Sequence, residues 1–91
     1  MTLKWDPKDP DEVLDYEIDW SGRLATGDTI ATSTWIVPTG ITKNSDTYTT
    51  TKSIIWLSGG TIGETYVFTC RITTAANRTH DQSVKLQIKA K

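Results

Sequence analysis

LSGGTIGETYVFTCRITT, residues 57–74, decides the fold. It opens on the last residue of an apolar run, Ile54-Ile55-Trp56-Leu57, and turns through Gly59, Gly60 and Gly63. It then enters a long alternating segment near Tyr66. From there Tyr66, Phe68, Cys70 and Ile72 share one face and Val67, Thr69, Arg71 and Thr73 share the other. That period of two belongs to a strand with one buried side. A tyrosine at the start of such a strand, just after a turn, is how two-sheet domains build a tyrosine corner. The ring enters the core while the hydroxyl bonds to a backbone group that the crossing chain has turned inward. Tyr66 is therefore expected to be the corner residue. The fold class is expected to be all-β, an immunoglobulin-like or fibronectin-III-like β-sandwich of about six to seven antiparallel strands.

Working outward, Leu14, Tyr16, Ile18 and Trp20 alternate with Asp15, Glu17 and Asp19, a strand with one buried and one wet face. Residues 28–37, DTIATSTWIV, are β-branched and threonine-rich; Ala31, Ser33, Trp35 and Val37 share one face, Ile30, Thr32, Thr34 and Ile36 the other, both are partly apolar, and the reading favours Trp35 and Val37 inward. A turn at Pro38-Thr39-Gly40 leads to a weaker polar strand over 41–50, and Thr49-Thr50-Thr51-Lys52 reads as a loop. Residues 53–57 form a short strand with Ile55 and Leu57 inward, which leaves Trp56 on the outer face. Downstream, Ala75-Ala76-Asn77-Arg78 makes a hairpin turn with Asn77 suited to a left-handed conformation. A last strand over 80–89 points Val84, Leu86 and Ile88 inward. No segment carries helical periodicity. Pro7 and Pro10 favour extended geometry before the first long strand. The division is thus an extended N-terminal arm at 1–12 and a sandwich at 13–91.

The 91 residues support one core, and the single cysteine, Cys70, excludes an intrachain disulfide. Four tryptophans must supply packing instead. The polar start MTLKWDPKDPDE lacks a signal-peptide core, and no window is apolar enough to span a bilayer; the expectation is cytoplasmic synthesis without membrane insertion. A net charge of −1 argues against nucleic acid as a partner. The distribution is uneven: residues 1–20 hold seven acids against two lysines, a local charge of −5, and residues 21–91 hold eight Lys and Arg against four acids, a local charge of +4. An acidic end and a basic body attract within one molecule or between neighbours.

Catalytic chemistry finds little support. Cys70 falls on a core-facing register and His80, the one histidine, follows a hairpin turn and is expected at the surface. Nucleophilic catalysis needs both in one exposed cleft. Asp15, Glu17 and Asp19 line one strand face about 7 Å apart, too far to grip one calcium ion, and a flat wet face lacks the apolar pocket that raises a catalytic carboxylic acid. No pattern calls for a metal or a cofactor, and the chain reads as a non-enzyme. Asn77-Arg78-Thr79 matches a glycosylation acceptor by coincidence. What stands out is interaction chemistry. Trp5 in the arm and Trp56 on an outer face are candidate anchors for a partner. Asp15, Glu17 and Asp19 are a candidate acidic surface, with Lys85, Lys89 and Lys91 on the final strand as its counterpart.

Three segments carry a resemblance: LDYEIDW, DTIATSTWIVPTGIT, and IIWLSGGTIGETYVFTCRITTAANRTHDQSVKLQI. Through them the chain resembles the small fibre–tail adaptor proteins of bacteriophage tails over nearly its whole length. The most specific part is the W-L-S-G-G-T-x-G-x-x-Y pattern followed by R-I-T-T and R-T. Ala76-Asn77 departs from the glycine expected before the arginine, but asparagine accepts the same positive φ. The resemblance implies a structural place in the virion where tail and fibres meet, with other tail and fibre proteins as partners in several symmetric copies, and no catalytic residues. The alternative from the residues is an immunoglobulin-like module that binds carbohydrate or a cell surface through Trp56 and Trp5.

Overall fold

In a computed structural model the described residues are 3–91. Met1 and Thr2, the first residues of the expected arm, lie outside them. The elements in chain order are β1 (Leu3–Lys4), β2 (Leu14–Asp19), β3 (Ile30–Ile36), β4 (Ile41–Tyr48), β5 (Lys52–Gly59), β6 (Thr65–Thr74) and β7 (Thr79–Gln87). They form two sheets, a four-stranded one in the order β1-β7-β6-β3 and a three-stranded one in the order β2-β5-β4. All pairings are antiparallel except β1 with β7, which is parallel and corrects the expectation of antiparallel strands alone.

The alternating patterns position the core. Ile18 and Trp20 from the β2 side and Ile55 and Leu57 from β5 meet Trp35 of β3, Phe68, Cys70 and Ile72 of β6, and Val84 and Leu86 of β7. Two details differ from the pattern. In β3 the register shifts between Ile30 and Thr32, so Ile30 and Trp35 are both buried while Ala31 turns outward. A bulge adds a residue and flips the facing beyond it, which explains why both faces of this segment looked partly apolar. In β4 a similar shift between Lys43 and Ser45 leaves Ile41 as the only buried residue of the strand. Polar atoms inside are chained: Trp20 Nε1 donates to Ser53 Oγ at 3.1 Å, Ser53 Oγ lies 2.8 Å from Ser33 Oγ, and Ser33 Oγ lies 3.6 Å from Cys70 Sγ.

The N-terminal segment is extended, as its prolines require, but it is packed down as a strap. β1 lies along Val84 and Lys85, Trp5 N–H donates to Lys85 O at 2.9 Å, and Lys8 N–H donates to Gln87 O at 3.0 Å. Lys8 is fully buried, its ammonium donating to Gly59 O at 2.7 Å and Asp9 O at 2.8 Å. Desolvation pushes the Lys8 pKa down, against the attraction of Glu12, Asp9 and Asp11. The glycine-rich corner is tight for a reason. At Gly60 (φ +97°) an added Cβ would stand 2.7 Å from Ile88 Cγ1. At the same corner the Tyr66 hydroxyl accepts the Thr61 N–H at 3.0 Å.

Two substitutions test this packing by urea denaturation. Gly60→Ala is expected to destabilise by more than about 1 kcal/mol, since it adds both a clash and a disfavoured φ. Tyr66→Phe is expected to cost about 1–3 kcal/mol by leaving the Thr61 N–H without its acceptor; a change within error would remove the corner role from Tyr66.

Candidate functional site

The antiparallel pairing of β2 with β5 sets Asp15 opposite Trp56, Glu17 opposite Ile54 and Asp19 opposite Lys52. On the other side of β5, Ser45 of β4 stands opposite Trp56 and Thr47 opposite Ile54. The structure therefore brings Asp15, Glu17, Asp19 and Trp56 onto one outer face, that of the three-stranded sheet. Trp56 is 41% exposed there. Glu17 is partly neutralised by Lys52 at 3.2 Å. The Asp19 carboxylate accepts Ser21 N–H at 2.9 Å, and that backbone bond holds it below its ordinary pKa. Asp15 has no ion pair among the described residues.

The expected basic counterpart divides. Lys85 stays on β7, on the outer face of the four-stranded sheet, with Lys4 of β1 on one side and Val67 of β6 on the other. Lys89 and Lys91 are not on the final strand, which ends at Gln87. Lys89 donates its N–H to Lys8 O at 2.9 Å, so the chain has left the sheet to run beside the strap. Lys91 is tied within its own molecule: its ammonium meets Glu12 Oε1 at 2.8 Å and its N–H donates to Asp9 Oδ2 at 2.8 Å.

Trp5, expected as an anchor for a partner, packs within its own molecule. Its ring stacks on Tyr16 at 4.7 Å between centroids and packs against Trp35 and Phe68, and its Nε1 donates to Glu17 O at 3.2 Å. The side chain is half-buried and packs against the core between the two sheets. The Tyr16 hydroxyl beneath the strap has no hydrogen-bond partner among the described residues. Burial first, then Glu12, Asp6 and Asp15, push its pKa up to about 12.

Reactive groups are dispersed. Cys70 is buried, and desolvation raises its pKa despite the hydroxyls of Ser53 and Ser33. His80, expected at the surface, is half-buried with its Nε2 enclosed, its ring tilted against Trp20 at 6.4 Å. Residue 80 is opposite Ile72 and so shares the inward register of β7, a signal the alternation of Val84 and Leu86 already contained. An open hollow of 390 Å³ lies by the hairpin turn, but its carboxylate, Asp28, already accepts from Thr29, Ala76 and Arg78. No group of three His, Cys, Asp or Glu among the described residues is placed to hold a metal ion. No helix among them is long and apolar enough to cross a membrane.

What remains is a molecule whose chemistry sits on its faces. A family model, that of the podophage GP4 fiber-tail adaptor protein gp77, matches residues 8–87. The chain belongs to this adaptor family. No curated protein matches it. The matched span holds the glycine corner, the whole of β2 to β7 and the buried Lys8; β1 and Trp5 lie before it. Membership implies a structural role in the tail of a phage and a place in the virion. It also implies other phage tail proteins as partners. The sequence resemblance and the family match agree. Ile54, Val67 and Lys4 were not singled out as surface candidates, because only the register shows which residues lie beside Trp56 and Lys85.

The strap gives this adaptor a defined acid response. Asp9 is held below its ordinary pKa by the N–H groups of Asp11 and Lys91, and Glu12 by Lys91 and then by the Asp9 N–H. With folded-state values lowered, the unfolded chain binds more protons, so stability is fully present above about pH 4.5 and falls as pH drops through the folded values. Thermal melts should therefore be flat from pH 7 to about pH 5 and fall below it. Asp9→Asn with Glu12→Gln should flatten part of that fall, the remainder belonging to Asp19, Asp28 and Asp81, whose values are lowered too. An unchanged acid limb in the double variant would remove the strap carboxylates as its source.

Proposed function

We propose that this adaptor is a structural, non-enzymatic virion protein that joins tail fibres to the phage tail by protein–protein contacts, present in several symmetric copies and synthesised in the host cytoplasm. The observation that carries the reading is the family match across residues 8–87. The geometry supports it by leaving charged and apolar side chains on two broad sheet faces while Cys70 and His80 turn inward.

The fold is read as an immunoglobulin-like sandwich, with residues 1–12 as its N-terminal arm and 13–91 as its body. Three features support this. The orders β2-β5-β4 and β7-β6-β3 follow the second-fifth-fourth and seventh-sixth-third arrangement of seven-stranded immunoglobulin domains, with the first strand moved beside the seventh. Trp35 of β3 is buried and opposite Cys70 of β6. Tyr66, at the start of β6, bonds back to Thr61 as a corner tyrosine does. In such a body the face bearing Trp56, Asp15, Glu17 and Asp19 is the contact surface, with Lys85 on a second one; Trp5, Lys89 and Lys91 hold the strap.

The carbohydrate-binding alternative draws on one observation, the exposure of Trp56 on an open sheet face. Quantitative mass spectrometry of purified particles tests the adaptor reading: a fixed, small number of copies per particle is expected, and absence from intact infectious particles would overturn it. Charge reversal of Asp15, Glu17 and Asp19 together is expected to cut incorporation severalfold while the melting temperature moves little, since exposed ion pairs are worth about 0–1 kcal/mol. Normal incorporation of that variant would take the acidic face out of the contact. Saturable quenching of Trp56 fluorescence by a sugar, with no loss in a Trp5→Phe variant, would favour the alternative.

A further inference from the structure

We infer that the strap, residues 3–12, is an autoinhibitory latch: it opens as a unit while both sheets stay folded, and the seat it leaves is taken by an extended segment of a partner tail or fibre protein. The inference rests on the adaptor reading and names the site at which that contact is made.

The strap is held at the rim of the fold. Trp5 N–H donates to Lys85 O, Lys8 N–H to Gln87 O, and Lys89 N–H to Lys8 O. These groups lie on β7 and its continuation, on the side away from β6. Elsewhere the Lys8 ammonium donates to Gly59 O at the corner, and Trp5 Nε1 donates to Glu17 O on β2, an edge strand of the other sheet. Withdrawing the strap therefore leaves the β7-β6-β3 and β2-β5-β4 ladders whole. The strap's own links depend on one another. Glu12 accepts the Asp9 N–H at 2.8 Å and meets the Lys91 ammonium at 2.8 Å, and Asp9 accepts the N–H groups of Asp11 and Lys91. Links joined in this way are lost together, so the segment opens in one step.

The closed state has a built-in weakness. Trp5 lies over the Tyr16 ring at 4.7 Å and against the Trp35 ring at 5.9 Å. The Tyr16 hydroxyl and Trp35 Nε1 are both enclosed without a hydrogen-bond partner among the described residues, and Trp35 is only 7% exposed. Buried donors without acceptors destabilise the state that buries them. The Lys8 ammonium, fully buried, adds the cost of its desolvation to the same state. Opening lets water reach that ammonium and the rings that Trp5 covers.

Opening also uncovers the edge of β7 beside an aromatic hollow. A bare strand edge accepts a strand from another chain. The strap itself shows the chemistry that fits there. It is a chain parallel to β7, with an aromatic side chain against Tyr16, Trp35 and Phe68 and an ammonium three residues later at Gly59 O. A tethered strap competes for the seat at an effective concentration of about millimolar. The edge is therefore shut in a free chain and yields at the particle, where a partner's segment is itself held close.

A disulfide lock tests this on the full chain. Lys4 and Lys85 are direct cross-strand partners and both are exposed, so Lys4→Cys with Lys85→Cys, once oxidised, ties the strap down. The same variant reduced is the control. The probe is a labelled peptide of residues 3–12, LKWDPKDPDE, read by fluorescence anisotropy. Trp5→Ala in the full chain loosens the latch and should bind the peptide at least about tenfold more tightly than wild type. The oxidised variant should not bind it, and the Trp5→Ala peptide should bind none of the chains. Native-state hydrogen exchange needs no variant: the amides of Trp5, Lys8 and Lys89 should exchange at one common rate, at least about tenfold faster than the ladder amides of β6. Exchange of all of them in a single step with the sheets, or equal peptide binding by the oxidised and reduced forms, overturns the latch. Purified chain added to particles that lack it then tests the contact. The reduced variant should be incorporated and the oxidised one excluded. Equal incorporation of both overturns this inference and leaves the adaptor role standing. If the wild-type chain itself is not incorporated, the adaptor reading fails, and the proposed partner contact fails with it, whatever the peptide and exchange results say of the latch.

Discussion

A single ammonium group, that of Lys8, holds together parts of the chain that are far apart in sequence. It donates to the carbonyl of Gly59, which sits at the corner between β5 and β6, and to its own neighbour Asp9. Its backbone meanwhile pairs with Gln87 and Lys89 on either side of Ile88. Burying a charge is costly unless hydrogen bonds replace the water it loses. Two carbonyls do so here, and the nearby acids Glu12, Asp9 and Asp11 favour the charged form. The glycines allow the close approach: Ile88 fills the space a side chain at position 60 would need. With Lys8 seated, the strap is fixed, and with the strap fixed Trp5 lies over Tyr16, Trp35 and Phe68. In a chain this small with no disulfide, that closure stabilises the open end of a core that two sheets alone leave exposed.

The same economy shapes the chemistry. One chain of polar atoms runs through the core, from Trp20 through Ser53 and Ser33 to Cys70. Such a network specifies one arrangement of the two sheets and keeps the thiol away from solvent. The carboxylates divide in the same way. Asp9, Glu12 and Asp28 bind backbone N–H groups and hold the strap and the hairpin, while Asp15 stays on an open face. Groups with internal work are poor candidates for recognition, and the uncommitted ones gather on the two outer faces.

Most of the sheets was legible because period-two alternation is a direct record of burial. Tyr66 to Ile72 and Val84 to Ile88 face where the pattern puts them, and Trp56 is outside for the same reason. The β3 bulge was not legible, since a one-residue insertion leaves both registers apolar and only the ladder with β6 shows where the facing changes. The strap was half legible. Pro7 and Pro10 signalled extended chain, but nothing local marks Lys8 as buried, because its partners lie on the Gly59 corner and beside Ile88. The packing of Trp5 was hidden for the same cause: its ring contacts come from three different strands. The acidic face was visible from one strand, whereas its pairing with Trp56 needed the β2–β5 register, and the lysine pair opposite needed a parallel strand two residues long.

That parallel strand also sets an order of events during synthesis. β1 and Lys8 leave the ribosome well before the groups they bond, on residues 84–89. The hairpins within each sheet can form as their strands appear, but the strap has nothing to lie on until β7 is out. Contacts this distant in sequence are slow to close, because the intervening chain must be ordered first. A nascent copy therefore carries Trp5 and the unfilled end of its core exposed until translation has passed β7. A segment made before the strands it joins docks only after them.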